Sequence, residues 1–287
     1  MVLIKTALYI LPLQKHTMQQ HNQSARFNRE NQKPKHYKLL KILALTLLVL
    51  FSTTSFAQKM EGTVRYLMAH NWVKKMAAVD YMSKQDIDRF AYMWGNEEEY
   101  KTYSKLNINA TQSKYEDSEE SAQKDDPGYS WLKDEYVITR NYEKKTMREV
   151  IDILGKTYII EDSLRTPNWK ILNEMKEIAG HICMNAFWND TVKKQKVIGW
   201  FALDIPNGGG PERFFGLPGL ILEININNGA LVITADKIEQ KKLTTELDLP
   251  KKIKGKKIKE AAYFAILKKH FDEKRKAEQP PFWSIRY

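Results

Sequence analysis

The stretch LILEININNGALVITADKIE, residues 220–239, leaves the chain little choice of fold. Leu220, Leu222, Ile224 and Ile226 recur at every second position, which places them on one face of a strand. Asn227-Asn228-Gly229 then supplies residues that tolerate positive φ, and a second apolar run returns at once. A β-hairpin is expected, with its apolar face in a core.

The same period runs through most of the chain. In EGTVRYLMAH, Val64, Tyr66 and Met68 form the apolar side of an opening strand, and KLNINATQSKYE, YVITRNYE, TMREVIDIL, KTYIIED and VIGWFALDI add further strands. TPNWKILNEMKEIAGHICMNAFW carries another hairpin, with Pro167 ahead of Trp169, Ile171 and Asn173 and with Gly180 before Ile182 and Met184. Two segments read instead as helices. Residues 72–94 set Met76, Val79 and Met82 on a stripe continued by Ile87, Phe90 and Trp94, and residues 256–277 offer Ile258, Ala262, Ala265 and Ile266 as a buried side. The acid-rich EDSEESAQKDDPGYS reads as a solvated loop without the spacing of a calcium loop. The expected fold is mainly β: a curved antiparallel sheet or half-barrel with one or two flanking helices and a C-terminal helix. The domains expected are 1–57, 58–250 and 251–287, the last a basic helix and tail.

The formal charge of +11 invites a nucleic-acid partner until its location is considered. Residues 1–57 hold eight Lys/Arg against the single acid Glu30, which accounts for +7 and leaves +4 for the remainder. No nucleic-acid partner is expected. The same segment has a positive region (Lys35, Lys38, Lys41), an apolar core from Leu43 to Phe51 and the small-x-small sequence Ser55-Phe56-Ala57. These are the parts of a secretory signal peptide cut after Ala57, here with an extended N-terminus for which Met18 is an alternative start. The apolar run is far short of the roughly 20 residues of a membrane span. No Cys follows the cut, so a lipid anchor is not expected, and the mature chain is expected to be periplasmic or secreted without a transmembrane segment.

IPNGGGPERFFGLPGLILEI raises a different question, because glycines beside an anion can cradle phosphate. It lacks the Lys and hydroxyl of a P-loop, and a strand follows it where a dinucleotide fold needs a helix. Leu217-Pro218-Gly219-Leu220 fits a type II turn with Gly219 at positive φ, placed at the rim of the sheet. Other catalytic patterns are missing too: His70, His181 and His270 are scattered, and neither HExxH nor GxSxG occurs. His181 and Cys183 would share a strand face and could hold a soft metal such as Cu(I). Cys183 is the only cysteine, which excludes an intramolecular disulfide. No cofactor and no catalytic residue is expected.

In order along the chain, EGTVRY, KLNINATQSKYE, GKTYIIEDS, WKILNEMKEIAGHICMNA and GWFALDIPNGGGPERFFGLPGLILEI resemble the GLPGLI family of Bacteroidetes envelope proteins. The resemblance spans roughly residues 61–240. It rests on the block Trp169, Gly180, Cys183 and Ala186 and on the block Ile205-Pro206, Gly210-Pro211 and Gly216-Leu217-Pro218-Gly219. His181 stands where the family usually has an aromatic, and Gly199-Trp200-Phe201-Ala202 where it usually has Ala-Trp-Tyr-Thr. The resemblance implies a secreted or periplasmic bacterial protein with a mostly β domain and carries no agreed activity. The expected function is a non-enzymatic envelope protein whose apolar sheet face binds an apolar ligand or a partner protein; the alternatives are a copper-binding protein using His181 and Cys183, or an envelope enzyme. Expressed in an exporting cell, the mature chain is expected to begin at Gln58; intact-mass measurement of the exported protein checks this, and a retained leader contradicts it.

Overall fold

The computed structural model describes Lys41, Leu43 and residues 60–94, 99–122, 136–249 and 253–286. The expected signal peptide lies outside these residues except at Lys41 and Leu43, and so does most of the second half of the acid-rich loop. The chain divides into two compact units, Met1–Ala57 and Gln58–Tyr287. The second holds the strands and helices.

Its strands are β1 (Gly62–His70), β2 (Tyr100–Ile108), β3 (Gln112–Asp117), β4 (Val137–Asn141), β5 (Thr146–Ile153), β6 (Lys156–Ser163), β7 (Lys170–Ile178), β8 (His181–Asp190), β9 (Gln195–Ala202), β10 (Ile221–Ile226), β11 (Leu231–Gln240) and β12 (Lys256–Ile258). The helices are α1 (Trp72–Ala77), α2 (Lys84–Trp94) and α3 (Glu260–Lys276). All twelve strands join one open sheet in the order β12-β6-β5-β4-β3-β2-β1-β11-β10-β9-β8-β7. The expectation of a mainly β fold with flanking helices holds. The sheet is mixed, because β12 runs parallel to β6 while every other pair is antiparallel.

Alternation along the strands decides what lies inside. β1 buries every second residue, so Val64, Tyr66 and Met68 are fully covered as the sequence indicates. Each such side chain contributes about 1.5–3 kcal/mol through burial. The sheet curls: Lys176 on β7 pairs at 2.7 Å with Glu223 on β10, although a flat sheet separates those strands by about 14 Å. Its inner face is filled by the chain's own segments, with Phe214, Leu217, Leu220, Tyr263 and Leu267 joining the strand residues in one cluster. A vacant apolar face along the sheet, expected from the sequence, is therefore not what the chain forms.

The hairpins follow their turn residues. Asn227, Asn228 and Gly229 all have positive φ between β10 and β11, and Ala179 and Gly180 do the same between β7 and β8. The glycine-rich stretch departs from expectation. Gly216, at φ +89°, takes the left-handed conformation, and Gly219 does not, so the type II turn is not formed. Gly219 instead lies against backbone, where a Cβ would overlap the Ala202 carbonyl oxygen. Leu217 is buried rather than at a rim, while Gly216 and Pro218 on either side of it are exposed. The loop satisfies its own polar groups through Gly216 N to Gly208 O (2.7 Å), Leu220 N to Ile205 O (3.0 Å) and Ile221 N to Gly209 O (3.0 Å).

Both helical expectations need adjustment. Residues 72–94 form two helices, because Ser83 starts α2 by accepting from Asp86 N at 3.1 Å. The expected stripe still packs together, with Met76 and Phe90 buried against Phe282 and flanked by Val79, Met82, Ile87 and Trp94. At the C-terminus, residues 256–258 are β12 rather than helix, and α3 buries Tyr263, Leu267 and His270 while Ala262 and Ala265 are exposed. The larger side chains set the buried stripe.

Two glycine substitutions separate the physical reasons for glycine here. Gly219→Ala is expected to cost about 3 kcal/mol or more through backbone overlap. Gly155→Ala, at φ +73° with nothing within 4 Å of its Cβ position, should cost only about 1–2 kcal/mol of backbone strain. Urea denaturation of the two variants checks the order, and equal losses contradict it.

Candidate functional site

A cleft of about 650 Å³ opens where several chain reversals meet one end of the sheet. One wall is the end of α1 and the segment after it, with Lys75, Val79 and Tyr81; another is the β8–β9 turn with Val192 and Lys193. The base comes from Ile226, Ala230 and Leu231 at the β10–β11 hairpin, and the far wall from Phe264, Ala265 and Phe271 of α3. Pro281, Phe282 and Ile285 of the tail complete it. The lining is mostly apolar, with charge at the rim and at two covered amines, Lys75 and Lys193.

Local chemistry places each wall. Asn71 caps α1, its side chain accepting from Lys74 N at 2.9 Å, and its own N–H donates to Ala230 O at 3.1 Å, tying the helix start to the hairpin. The tail is held at several points: His270 Nε2 donates to Pro281 O at 2.7 Å, Tyr81 Oη to Gln279 O at 2.8 Å, and Leu154 N to Ser284 O at 2.9 Å. Arg286 fixes its end with Asp117 (2.5 Å) and Glu212 (2.7 Å) and lies 3.5 Å from the Tyr136 ring centre.

Lys75 is the buried charge of the cleft. Its Nζ lies 2.9 Å from His70 Nδ1 and 4.4 Å from the Trp72 ring centre, and His70 stacks on Trp72. Burial, with Lys193 and Arg286 nearby, pushes its amine down from 10.5 to about 7. The same causes, burial first and then Lys75 and Arg286, hold the His70 imidazole well below its usual range. Burial likewise pushes the Lys193 amine down to about 8, against the pull of Asp190. At the rim, Asp80 pairs with Arg275 (2.5 Å) and Lys194 (3.6 Å), and Asp272 with Lys268 (2.7 Å).

Behind the cleft lies a second charged group, centred on Glu212-Arg213. Arg213 pairs with the fully buried Glu149 and with Glu260 (3.1 Å), and it sits 4.2 Å from the Tyr263 ring centre. Arg140 donates to the carbonyls of Glu212 and Gly210. Sequence reasoning passed over these residues. The signal was present as a charged dipeptide between Pro211 and Phe214 in an otherwise apolar stretch. Lys75 left a similar trace, one position before Met76 on an apolar helix stripe.

The residues singled out from the sequence fall elsewhere. His181 Nδ1 lies 2.7 Å from Asp204 Oδ2, while Cys183 is buried and its thiol donates to His181 O at 3.5 Å. Burial, then Asp204, pushes the Cys183 thiol up to about 11, which withholds the thiolate a soft metal prefers. Among the described residues no group of three or more His, Cys, Asp or Glu is placed to hold a metal. The motif residues pack on one another. Trp169 Nε1 donates to Phe215 O at 2.9 Å, and its ring covers Gly199 beside Trp188 and Phe214. A Cβ on Gly216 would strike Thr166, and Gly180 serves a turn with open space around it. Gly210 and Pro211 are buried and Pro206 is exposed.

Residues 188–223 match the model of a family described as a protein of unknown function (Porph_ging). The matched segment holds the β8–β9 turn of the cleft, Glu212-Arg213 and the Gly216–Ile221 motif. Among curated proteins none matches the chain. Of solved structures, PNGF-II in its P21 and C2 crystal forms is similar at 13% and 14% identity, with TM-scores of 0.47 and 0.46. Each covers 72% of this chain, which spans about a third of that one (33% and 32%).

Lys75 also makes a stability prediction with a definite sign. The unfolded chain keeps this proton up to about pH 10.5 and the folded chain only up to about 7, so unfolding takes up a proton between those values. Stability therefore rises with pH through that window, and the cost of burying the group is complete below it. Lys75→Met should be more stable than the parent by about 1–3 kcal/mol near pH 7, with the advantage shrinking towards pH 10. Paired urea titrations across this range check the trend; a pH-independent difference contradicts it.

Proposed function

We propose that the protein is a non-enzymatic binding protein of the cell envelope that holds an apolar small molecule in the cleft between α1, α3, the β8–β9 turn and the tail. The observation that carries this reading is that the chain fills the inner face of its sheet yet leaves this opening lined by Val79, Val192, Leu231, Phe264, Phe271 and Phe282. Its volume falls within the roughly 300–1,000 Å³ usual for small-molecule sites. An apolar surface left open to water costs about 25 cal/mol per Å², which an apolar occupant recovers. Support for the envelope comes from the leader-like sequence of residues 1–57 and from the family matched at residues 188–223, whose unknown function is compatible with that location. Among the described residues no helix is long and apolar enough to cross a membrane.

Native mass spectrometry of protein purified from exporting cells should detect a bound apolar molecule that is removed by organic extraction. Ala265→Trp places an indole on the α3 wall of the cleft from an exposed position, so it should lower binding of the re-added molecule by about tenfold or more while leaving the unfolding midpoint nearly unchanged. A parent protein that carries nothing and takes up no apolar probe overturns the reading.

A further inference from the structure

A ligand that is only apolar would leave one feature of the cleft unanswered. Lys75 lies on its wall, is 8% exposed, and among the described residues has no carboxylate within ion-pair distance. The acids around it are committed elsewhere. Asp80 and Asp272 pair with rim cations, Asp117 and Glu212 hold Arg286, and Glu149 and Glu260 hold Arg213. Asp190 accepts from the backbone of Val192 and Lys193 in its own turn. The groups that do face Lys75 are of the same sign or neutral: His70 from β1, Lys193 from the β8–β9 turn and Arg286 from the tail. The Trp72 ring at 4.4 Å offsets part of that charge. A buried amine without a counter-charge is destabilising, and the residue that carries it here lines an apolar opening.

We propose that the Lys75 amine anchors the anionic headgroup of an amphiphile, a carboxylate or a phosphate monoester, whose apolar body lies along Val79, Phe264, Phe271 and Phe282. The inference rests on the reading of the cleft as an apolar-ligand site. Lys193 lines the same cleft from the β8–β9 turn. The geometry accounts for both ends of such a molecule: charge-assisted hydrogen bonds at the buried amine, and dispersion and burial along the aromatic walls. Binding also changes protonation. An anion beside Lys75 supplies the missing counter-charge, so the amine regains its proton when the ligand arrives and releases it when the ligand leaves.

Three probes of equal chain length separate the two readings: dodecanoate, dodecyl phosphate and dodecanol, titrated calorimetrically into the full chain near pH 7. The anionic probes are expected to bind about tenfold or more tighter than the alcohol, with proton uptake revealed by comparing two buffers of different ionisation enthalpy. The stronger of the two anions names the headgroup. In Lys75→Met, and in Lys75→Gln as a second variant, that preference should vanish while dodecanol still binds. Equal affinity of the parent for all three probes, or a preference that survives both substitutions, overturns the headgroup proposal and leaves the apolar cleft standing. Failure of every probe to bind the parent overturns both. The proton-uptake measurement needs no variant, and binding of an anion without uptake near pH 8 also counts against Lys75 as the anchor.

Discussion

Arg213 sits inside the protein with its guanidinium between Glu149, Glu260 and the ring of Tyr263, and much of the tertiary structure is arranged so that it can stay there. Removing such ions from water costs several kcal/mol each, and only close pairing with further hydrogen bonds offsets this. The pairing draws on distant elements: Glu149 from β5, Glu260 from the first turn of α3, and Glu212 beside it in the loop, which takes Arg286 from the tail together with Asp117 of β3. Arg140 on β4 closes the set through backbone carbonyls of the loop. A hydrophobic cluster of the same volume would match this in stability. What the ionic version adds is a single acceptable register, because any slip of the loop, the helix or the tail leaves a buried charge alone.

The sheet was largely legible in the sequence, and the reasons are local. Val64, Tyr66 and Met68 alternate, Asn227-Asn228-Gly229 and Ala179-Gly180 turn the chain, and the strands they join are sequence neighbours. What was illegible depends on partners far away in the chain. β12 is three residues of a lysine-rich segment that become a strand only because the edge of β6 is free to accept them in parallel. The Pro-Gly pair predicts a turn at Gly219, yet its role is set by the Ala202 carbonyl, which no local pattern reveals. The break at Ser83 was readable in principle, since Ser followed three residues later by Asp is a start signal, but the continuous apolar stripe masked it.

The candidate site was the least legible part. Its lining comes from a helix end, two hairpin turns, α3 and the tail, so no window of sequence contains it. Lys75 in particular reads as an ordinary surface lysine until Trp72, His70 and the tail are packed around it. His181 and Cys183 drew attention because their chemistry is conspicuous, whereas their surroundings are those of a capped strand end and a packed interior.

The position of β1 carries a consequence for how the molecule assembles. β2 to β6 and β7 to β11 are two meanders, each built from neighbours in the chain, and β1 joins them by pairing with β2 on one side and β11 on the other. The meanders can zip up early and independently, but the seam that sets Gly62 opposite Gln240 must close a very long loop, at an entropic cost of about 4–5 kcal/mol. Non-local pairing of this kind forms slowly, and once formed it joins all nine residues of β1 to β11. The seam ends where His70 meets Leu231, at the floor of the cleft. A molecule held in the cleft would therefore lie against the end of the seam, and by binding the folded chain alone it would help to keep the two meanders joined.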